Sequence, residues 1–279
     1  MGEYSGFLGL RVELDAGVAT VTIDNGPVNL FDRVLYPEMS RLSALLADDD
    51  EVRVVVLRSA NPDYFIAHFD VEAILRFPPD RPAPTELSEF HRMCERFRTM
   101  RKATIAVIEG RVGGGGSELT LSCDMRFAAL GRAVFNQPEV ALGILPGGSG
   151  TVRLPRLVGR GRALEAILGC DDVDAATAQA WGWVNRALPP EELRPFVDRL
   201  ARRIASFPAH AVAEAKASVL RAEQAVTQHL LDEAAGFNRT LAGAGTREAM
   251  QRFLASGGQT PAGEGRLGAL CGELGTVQP

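Results

Sequence analysis

The chain has 279 residues, 46% hydrophobic and 23% charged, which is the balance of a globular protein rather than a disordered one. A net charge of −5 leaves no overall basic footprint for nucleic acid or an anionic membrane surface, and no apolar run approaches the roughly 18 residues of a membrane span. Four scattered cysteines with no CxxC spacing argue against a disulfide framework or a zinc site and suit the reduced thiols of a cytoplasm.

The N-terminal stretch "MGEYSGFLGLRVELD" carries acids and no basic n-region, so it does not read as a signal peptide. Residues 10–23 predict two short strands around a turn at Asp15–Gly17, because Val18, Thr20 and Thr22 alternate with Ala19, Val21 and Ile23. Asp32 is a candidate N-cap for a helix to about Ala47, despite Pro37. "VRVVVLRSA" (52–60) and "ATIAVIEG" (103–110) are β-branched runs of the buried parallel type. Between them, "RFPPDRPAPTE" (76–86) predicts a surface excursion, and residues 86–101 place Leu87, Phe90, Met93, Cys94 and Phe97 at helical spacing.

A glycine loop follows the second run, then a short helix from about Ser117, then a strand at 124–130. Strands and helices in alternation argue for an α/β class, with no clean sequence period. From about Glu191 the chain becomes helical, which predicts a boundary near Pro189–Pro190 and divides it into residues 1–190 and 191–279. The Gly-rich tail from Ser256 predicts a frayed end.

The chemistry concentrates in "GGGGSELTLSCD" (113–124). A P-loop needs Lys-Ser/Thr after its last glycine, and here the loop runs into Ser117–Glu118, whose carboxylate would repel a triphosphate. The stretch "GRVGGGGSE" does not give the spacing of a dinucleotide fingerprint cleanly either. A third functional use of bare backbone N–H groups beside a carboxylate is an oxyanion hole, while a helix-capping glutamate on a packing loop accounts for the same spacing. A second carboxylate, Glu139 in "FNQPEVALGILPGGSG", sits among apolar residues and glycines. Desolvation and a neighbouring like charge raise a carboxyl pKa and suit it to proton transfer, although alone Glu139 reads equally as a solvent-facing turn residue.

Taken together, "PDYFIAHFDVEAI", "KATIAVIEGRVGGGGSELTLSCDMRFAA", "FNQPEVALGILPGGSGTVRLPRLVGRGRALE" and "DAATAQAWGWVNRALP" resemble the crotonase superfamily, the enoyl-CoA hydratases and isomerases. The resemblance implies an α/β spiral of ββα units over residues 1–190 that carries the active site. It implies a helical oligomerisation segment over 191–279, and assembly as a homotrimer or dimer of trimers. It implies an acyl-CoA thioester as substrate, whose carbonyl oxygen meets the backbone N–H groups of Phe69 and Gly115, with Ala67, His68, Asp70 and Gly114 around them. Glu118 and Glu139 match the two catalytic glutamates of the hydratases. The implied reaction is addition of water to a 2-trans-enoyl-CoA, giving a 3-hydroxyacyl-CoA. No metal or redox cofactor is implied, since coenzyme A arrives with the substrate, and neither nucleic acid nor membrane is an expected partner.

The alternatives are a 3,2-enoyl-CoA isomerase or other acyl-CoA lyase, which needs only one carboxylate, and a non-catalytic acyl-CoA-binding protein. His68 stands where the family usually has glycine, and reads as a wall residue or as a contact to the thioester or pantetheine arm. Phe69, often alanine in the family, narrows the pocket by this reading. One extra residue falls near Gly131, and Arg252 precedes Phe253 with no basic residue after it. Lys216 reads as a helix-surface residue, and Trp181 and Trp183 as packing.

Overall fold

A computed structural model describes residues 4–78, 82–223 and 226–275. Parts of the expected proline-rich excursion (residues 79–81), the end of the segment through Gln224, and the last four residues of the tail lie outside the described residues. In chain order come β1 (Leu10–Asp15), β2 (Val18–Ile23), α1 (Leu35–Asp48), β3 (Val54–Ser59), β4 (Tyr64–Ile66), α2 (Val71–Leu75) and α3 (Glu89–Thr99). Next are β5 (Ala103–Ile108), β6 (Arg111–Gly113), α4 (Gly114–Ser122), β7 (Met125–Ala129), β8 (Val134–Asn136) and a single 3-10 turn at Glu139–Leu142. These lead into α5 (Gly150–Val158), α6 (Arg160–Gly169), β9 (Val173–Asp174), α7 (Ala175–Trp181) and β10 (Arg186–Leu188). The remainder is helical: α8 (Pro190–Ala205), α9 (Ala209–Leu220), α10 (Val226–Leu241), α11 (Thr246–Ala255), α12 (Pro261–Glu264) and α13 (Leu267–Gly275).

The strands form two sheets, of order β1-β2-β3-β5-β7-β10 and β4-β6-β8-β9. Each of the pairs β3/β4, β5/β6 and β7/β8 places its longer strand in the first sheet and its three-residue strand in the second, which is the expected spiral. β1 is antiparallel to β2, and the rest of the large sheet is parallel. Both faces are covered. Val55, Leu57, Ala106 and Ile108 join the main core with Leu42, Leu46 and Phe97, while Val54, Val56, Ile105 and Val107 pack on Leu193, Val197 and Ala201 of α8. Burial on two sides explains why β3 and β5 read as unbroken β-branched runs rather than alternating ones.

Asp32 caps α1 as expected, its Oδ1 accepting the N–H groups of Val34 and Leu35 at 2.9 Å each. Pro37 is tolerated because it falls in the first turn, where N–H groups have no helical acceptor. Three expectations are corrected. The helix expected from Ser117 begins at Gly114, so the glycines themselves form its first turn and Glu118 lies in the second. The tail expected to fray is helical through Gly275: its glycines serve close contacts, since a Cβ on Gly263 would stand 2.1 Å from Gly257 O and one on Gly258 2.4 Å from the Phe253 ring. Lys216 is no free surface residue, because its Nζ pairs with Asp124 Oδ2 at 2.9 Å and donates to Lys102 O at 2.8 Å, tying α9 to the sheet. Trp183 is fully buried against Phe135. Among the described residues no helix is long and apolar enough to cross a membrane.

Candidate active site

Three neighbouring strands of the small sheet run parallel, with Ile66 opposite Val112 and Gly113 opposite Asn136. The chain therefore leaves β4, β6 and β8 side by side and in one direction. β4 releases residues 67–70, β6 releases the glycines and α4, and β8 releases the 3-10 turn that starts at Glu139. The carboxyl ends of adjacent parallel strands are where α/β folds gather ligand-binding groups.

The glycines let the first two segments touch. A Cβ on Gly113 would lie 2.7 Å from Ala67 O, and one on Gly116 would lie 2.4 Å from Ile66 O, both backbone atoms that cannot swing away. Gly114 also has φ +44°, a left-handed conformation that a side chain disfavours. The result sets Gly114 beside His68 and Gly115 beside Phe69.

Phe69 forms a parallel bridge with Phe31, in which Phe31 N donates to His68 O at 3.0 Å and Asp70 N donates to Phe31 O at 3.1 Å. In that pattern the N–H of Phe69 itself points away from Phe31. Gly115 is in the first turn of α4, where N–H groups lack helical acceptors and carry the positive end of the dipole. Neither N–H donates a hydrogen bond among the described residues.

Glu118 and Glu139 face a common cavity of about 700 Å³, which Phe69, Gly114, Gly115 and His68 also line. Most of its remaining wall is apolar, including Tyr36, Phe90, Leu142, Phe237 and Phe253. Glu118 Oε1 accepts the backbone N–H groups of Gly148 and Gly150, each at 2.8 Å. Ser149 between them adopts φ +114°, a strained conformation that turns two amides of one loop onto one oxygen. Burial pushes Glu118 from 4.5 up to about 8, with the negative Glu233 adding to the rise and the two glycine amides opposing it. Glu139 is 9% exposed, and burial followed by the charge of Glu118 raises it well above the usual carboxylate range. Like charges in one apolar cavity resist joint ionisation, so the pair holds a proton that neither carboxylate would keep in water.

Ala67 and Asp70 are placed differently from the other expected site residues. Ala67 is buried with its N–H bonded to Val28 O, and Asp70 caps α2 through the N–H of Glu72; neither lines the cavity. The cavity also crosses the boundary expected near residue 190, because Ala234, Phe237, Asn238 and Phe253 complete its wall. The carboxylate of Glu233 on α10 was missed from the sequence. It accepts the N–H of Thr151 at 2.8 Å, next to Gly150, and lies 3.6 Å from His91 Nε2. The signal was present, since Val226, Leu230, Glu233 and Phe237 share one helical face and a lone acid on an apolar stripe is unusual.

The family model for enoyl-CoA hydratase/isomerase matches residues 13–259. A crotonyl-CoA hydratase of Syntrophomonas wolfei is 36% identical over 232 residues, covering 81% of this chain and 87% of that protein. A short-chain-enoyl-CoA hydratase of Clostridium acetobutylicum is 31% identical, covering 87% and 93%. Among solved structures, one from Streptomyces avermitilis, which carries the provisional name enoyl-CoA hydratase, superposes with a TM-score of 0.88 at 37% identity over 98% of this chain and 100% of that one. The chain belongs to the enoyl-CoA hydratase/isomerase family of the crotonase superfamily.

Proposed function

We propose that the protein is an enoyl-CoA hydratase, adding water to a 2-trans-enoyl-CoA to give the 3-hydroxyacyl-CoA. The observation that carries this reading is the pair of buried carboxylates, Glu118 and Glu139, both held above the usual carboxylate range and facing one apolar cavity beside two free backbone donors. The hydratase names of the relatives agree with it.

In this mechanism the thioester oxygen sits between the N–H groups of Phe69 and Gly115. Donors fixed in advance on a charge that develops only during reaction lower the barrier without reorganising, and one such donor is typically worth about 2.7–4 kcal/mol. Water adds to the β-carbon while Glu118 draws off a proton. Glu139 delivers a proton to the α-carbon of the enolate, and the pair returns to its starting state with one proton redistributed. The chemistry is acid–base throughout and calls for no metal or redox cofactor. Two carboxylates favour hydration over 3,2-isomerisation, for which a single proton shuttle suffices.

Loss of the conjugated enoyl absorbance on mixing with crotonyl-CoA, with 3-hydroxybutyryl-CoA as product, tests the reading. Exchange of α-protons with solvent in the absence of net hydration indicates the isomerase instead, and binding without turnover indicates a non-catalytic protein. We place the enzyme in the cytoplasm on the strength of its four unpaired, buried thiols. We assign it a homotrimer or dimer of trimers, in keeping with the exposed Leu157, Leu164 and Leu168 of α5 and α6. Light scattering in solution measures that mass directly.

A further inference from the structure

His68, where the family resemblance leads one to expect glycine, is 3% exposed although it forms part of the cavity wall. Its Nδ1 lies 2.9 Å from Phe69 O, and its Nε2 lies 3.0 Å from Glu264 Oε1. The Phe69 carbonyl can only accept. Glu264 Oε1 already accepts the N–H of Gln259 at 2.6 Å. Both ring nitrogens thus face acceptors, an arrangement satisfied when both carry protons and Glu264 is ionised.

The surrounding charges point the same way. Burial alone would discharge the ring, but the Glu264 carboxylate, the Phe69 carbonyl and the Asp70 carboxylate outweigh it and hold His68 above its ordinary 6.5. Burial likewise works against the Glu264 anion, and His68 and Arg111 overcome it, keeping that carboxyl below its usual range. The other titratable groups nearby are Tyr64, whose hydroxyl donates to Pro261 O, and Glu139, whose Oε1, like the His68 Cβ, would lie 3.0 Å from a Cβ on Gly114.

The pair also fastens two distant parts of the chain. Gln259 Oε1 accepts the N–H of Val71 at 2.5 Å and its amide donates to Asp70 Oδ1 at 3.2 Å, so residues 259–264 grip residues 68–71 at three points. The peptide that offers the Phe69 N–H is pinned through His68 O to Phe31, and the following peptide is pinned through Phe69 O to the His68 ring. We propose that the His68–Glu264 ion pair is a positioning device for the oxyanion site, fixing the Phe69 carbonyl through the His68 ring while the Phe31 bond to His68 O holds the other side of the Phe69 N–H. The proposal rests on the hydratase reading for its catalytic consequence, though not for the charge on His68. It assigns the C-terminal segment, α12 included, a direct share in catalytic geometry.

The test combines nitrogen NMR of the histidine ring in the wild-type enzyme with hydration kinetics of His68→Gln and Glu264→Gln, each checked for folding by circular dichroism. At pH 7 both nitrogens of the wild-type His68 ring carry protons, and in Glu264→Gln one of them is lost. Both variants lower kcat by roughly tenfold or more and leave KM within about threefold, because a displaced Phe69 N–H weakens a contact that strengthens in the transition state. Glu264→Asp recovers part of the lost kcat. A singly protonated wild-type ring overturns the proposal, and so does unchanged kcat in folded variants. If the variants fail to fold, the ring protonation of the wild-type enzyme still decides the charge. A wild-type enzyme that hydrates no enoyl-CoA refutes the function assigned above, while the NMR result separately confirms or refutes the ion pair.

Discussion

The backbone N–H of Gly148 lies 2.8 Å from Glu118 Oε1, and the same oxygen takes the N–H of Gly150 at the same distance. A carboxylate anchored at one oxygen by two amides is fixed in direction while its other oxygen remains available for chemistry. Glu118→Gln and Glu139→Gln are each expected to lower turnover by at least about 100-fold, the scale of lost acid–base catalysis. Acyl-CoA affinity, measured by calorimetry, changes little, because the donors for the thioester are main-chain groups. Turnover near the wild-type rate in either variant removes that residue from the mechanism.

Glu233 tunes this carboxylate through its charge. Its charge is the second largest contribution to the raised pKa of Glu118, after burial. Glu233→Gln removes that repulsion, so Glu118 ionises at lower pH and the acid limb of the kcat/KM profile moves toward lower pH. A limb that stays in place or moves upward contradicts the coupling. The readout belongs to the carboxylate pair and not to one member, since interacting groups titrate together.

The same shift links stability to pH. A glutamate that ionises near 4.5 when unfolded and near 8 when folded favours the folded state fully below pH 4.5. That contribution falls as pH rises through the interval and is gone above about 8. The slope is at most about 1.4 kcal/mol per pH unit for one proton. Glu118→Gln lacks this term, so its stability relative to wild type improves from pH 5 to pH 8 in urea denaturation. A constant difference across that range refutes the raised pKa.

Alanine at Gly116 and at Gly131 separates contact from conformation. At Gly116 the new methyl meets Ile66 O at 2.4 Å, a backbone collision expected to destabilise by about 1–3 kcal/mol and to displace Gly115. At Gly131 nothing lies within 4 Å, and only the φ of +73° opposes a side chain, for a loss of about 1 kcal/mol with activity retained. Denaturation midpoints and turnover of the two variants, measured together, check both halves.

Much of this was legible in the chain. Parallel strands buried on two faces announce themselves as β-branched runs, and the two glutamates stood out because each is set among glycines and apolar residues. The ββα repetition was not legible, because β4, β6 and β8 are only three residues long and the helices between them differ too much for a period to show. The start of α4 was misplaced for a related reason: glycine has poor helix propensity, and here the close contact with residues 66–69 overrides it. The ordered tail was missed because glycine reads as flexibility in sequence, while Gly258 and Gly263 are there to admit the Phe253 ring and the Gly257 backbone. Glu264 gave no signal at all, since its partner His68 is 196 residues away and the pairing exists only in three dimensions.

The most direct measurement is a crystal structure of the Glu118→Gln variant with an enoyl-CoA bound. The thioester oxygen is expected about 2.7–3.1 Å from both the Phe69 and the Gly115 nitrogen, the range of a working oxyanion site. The double bond is expected between positions 118 and 139. A thioester bound elsewhere in the cavity, or its carbonyl turned away from those two amides, contradicts it.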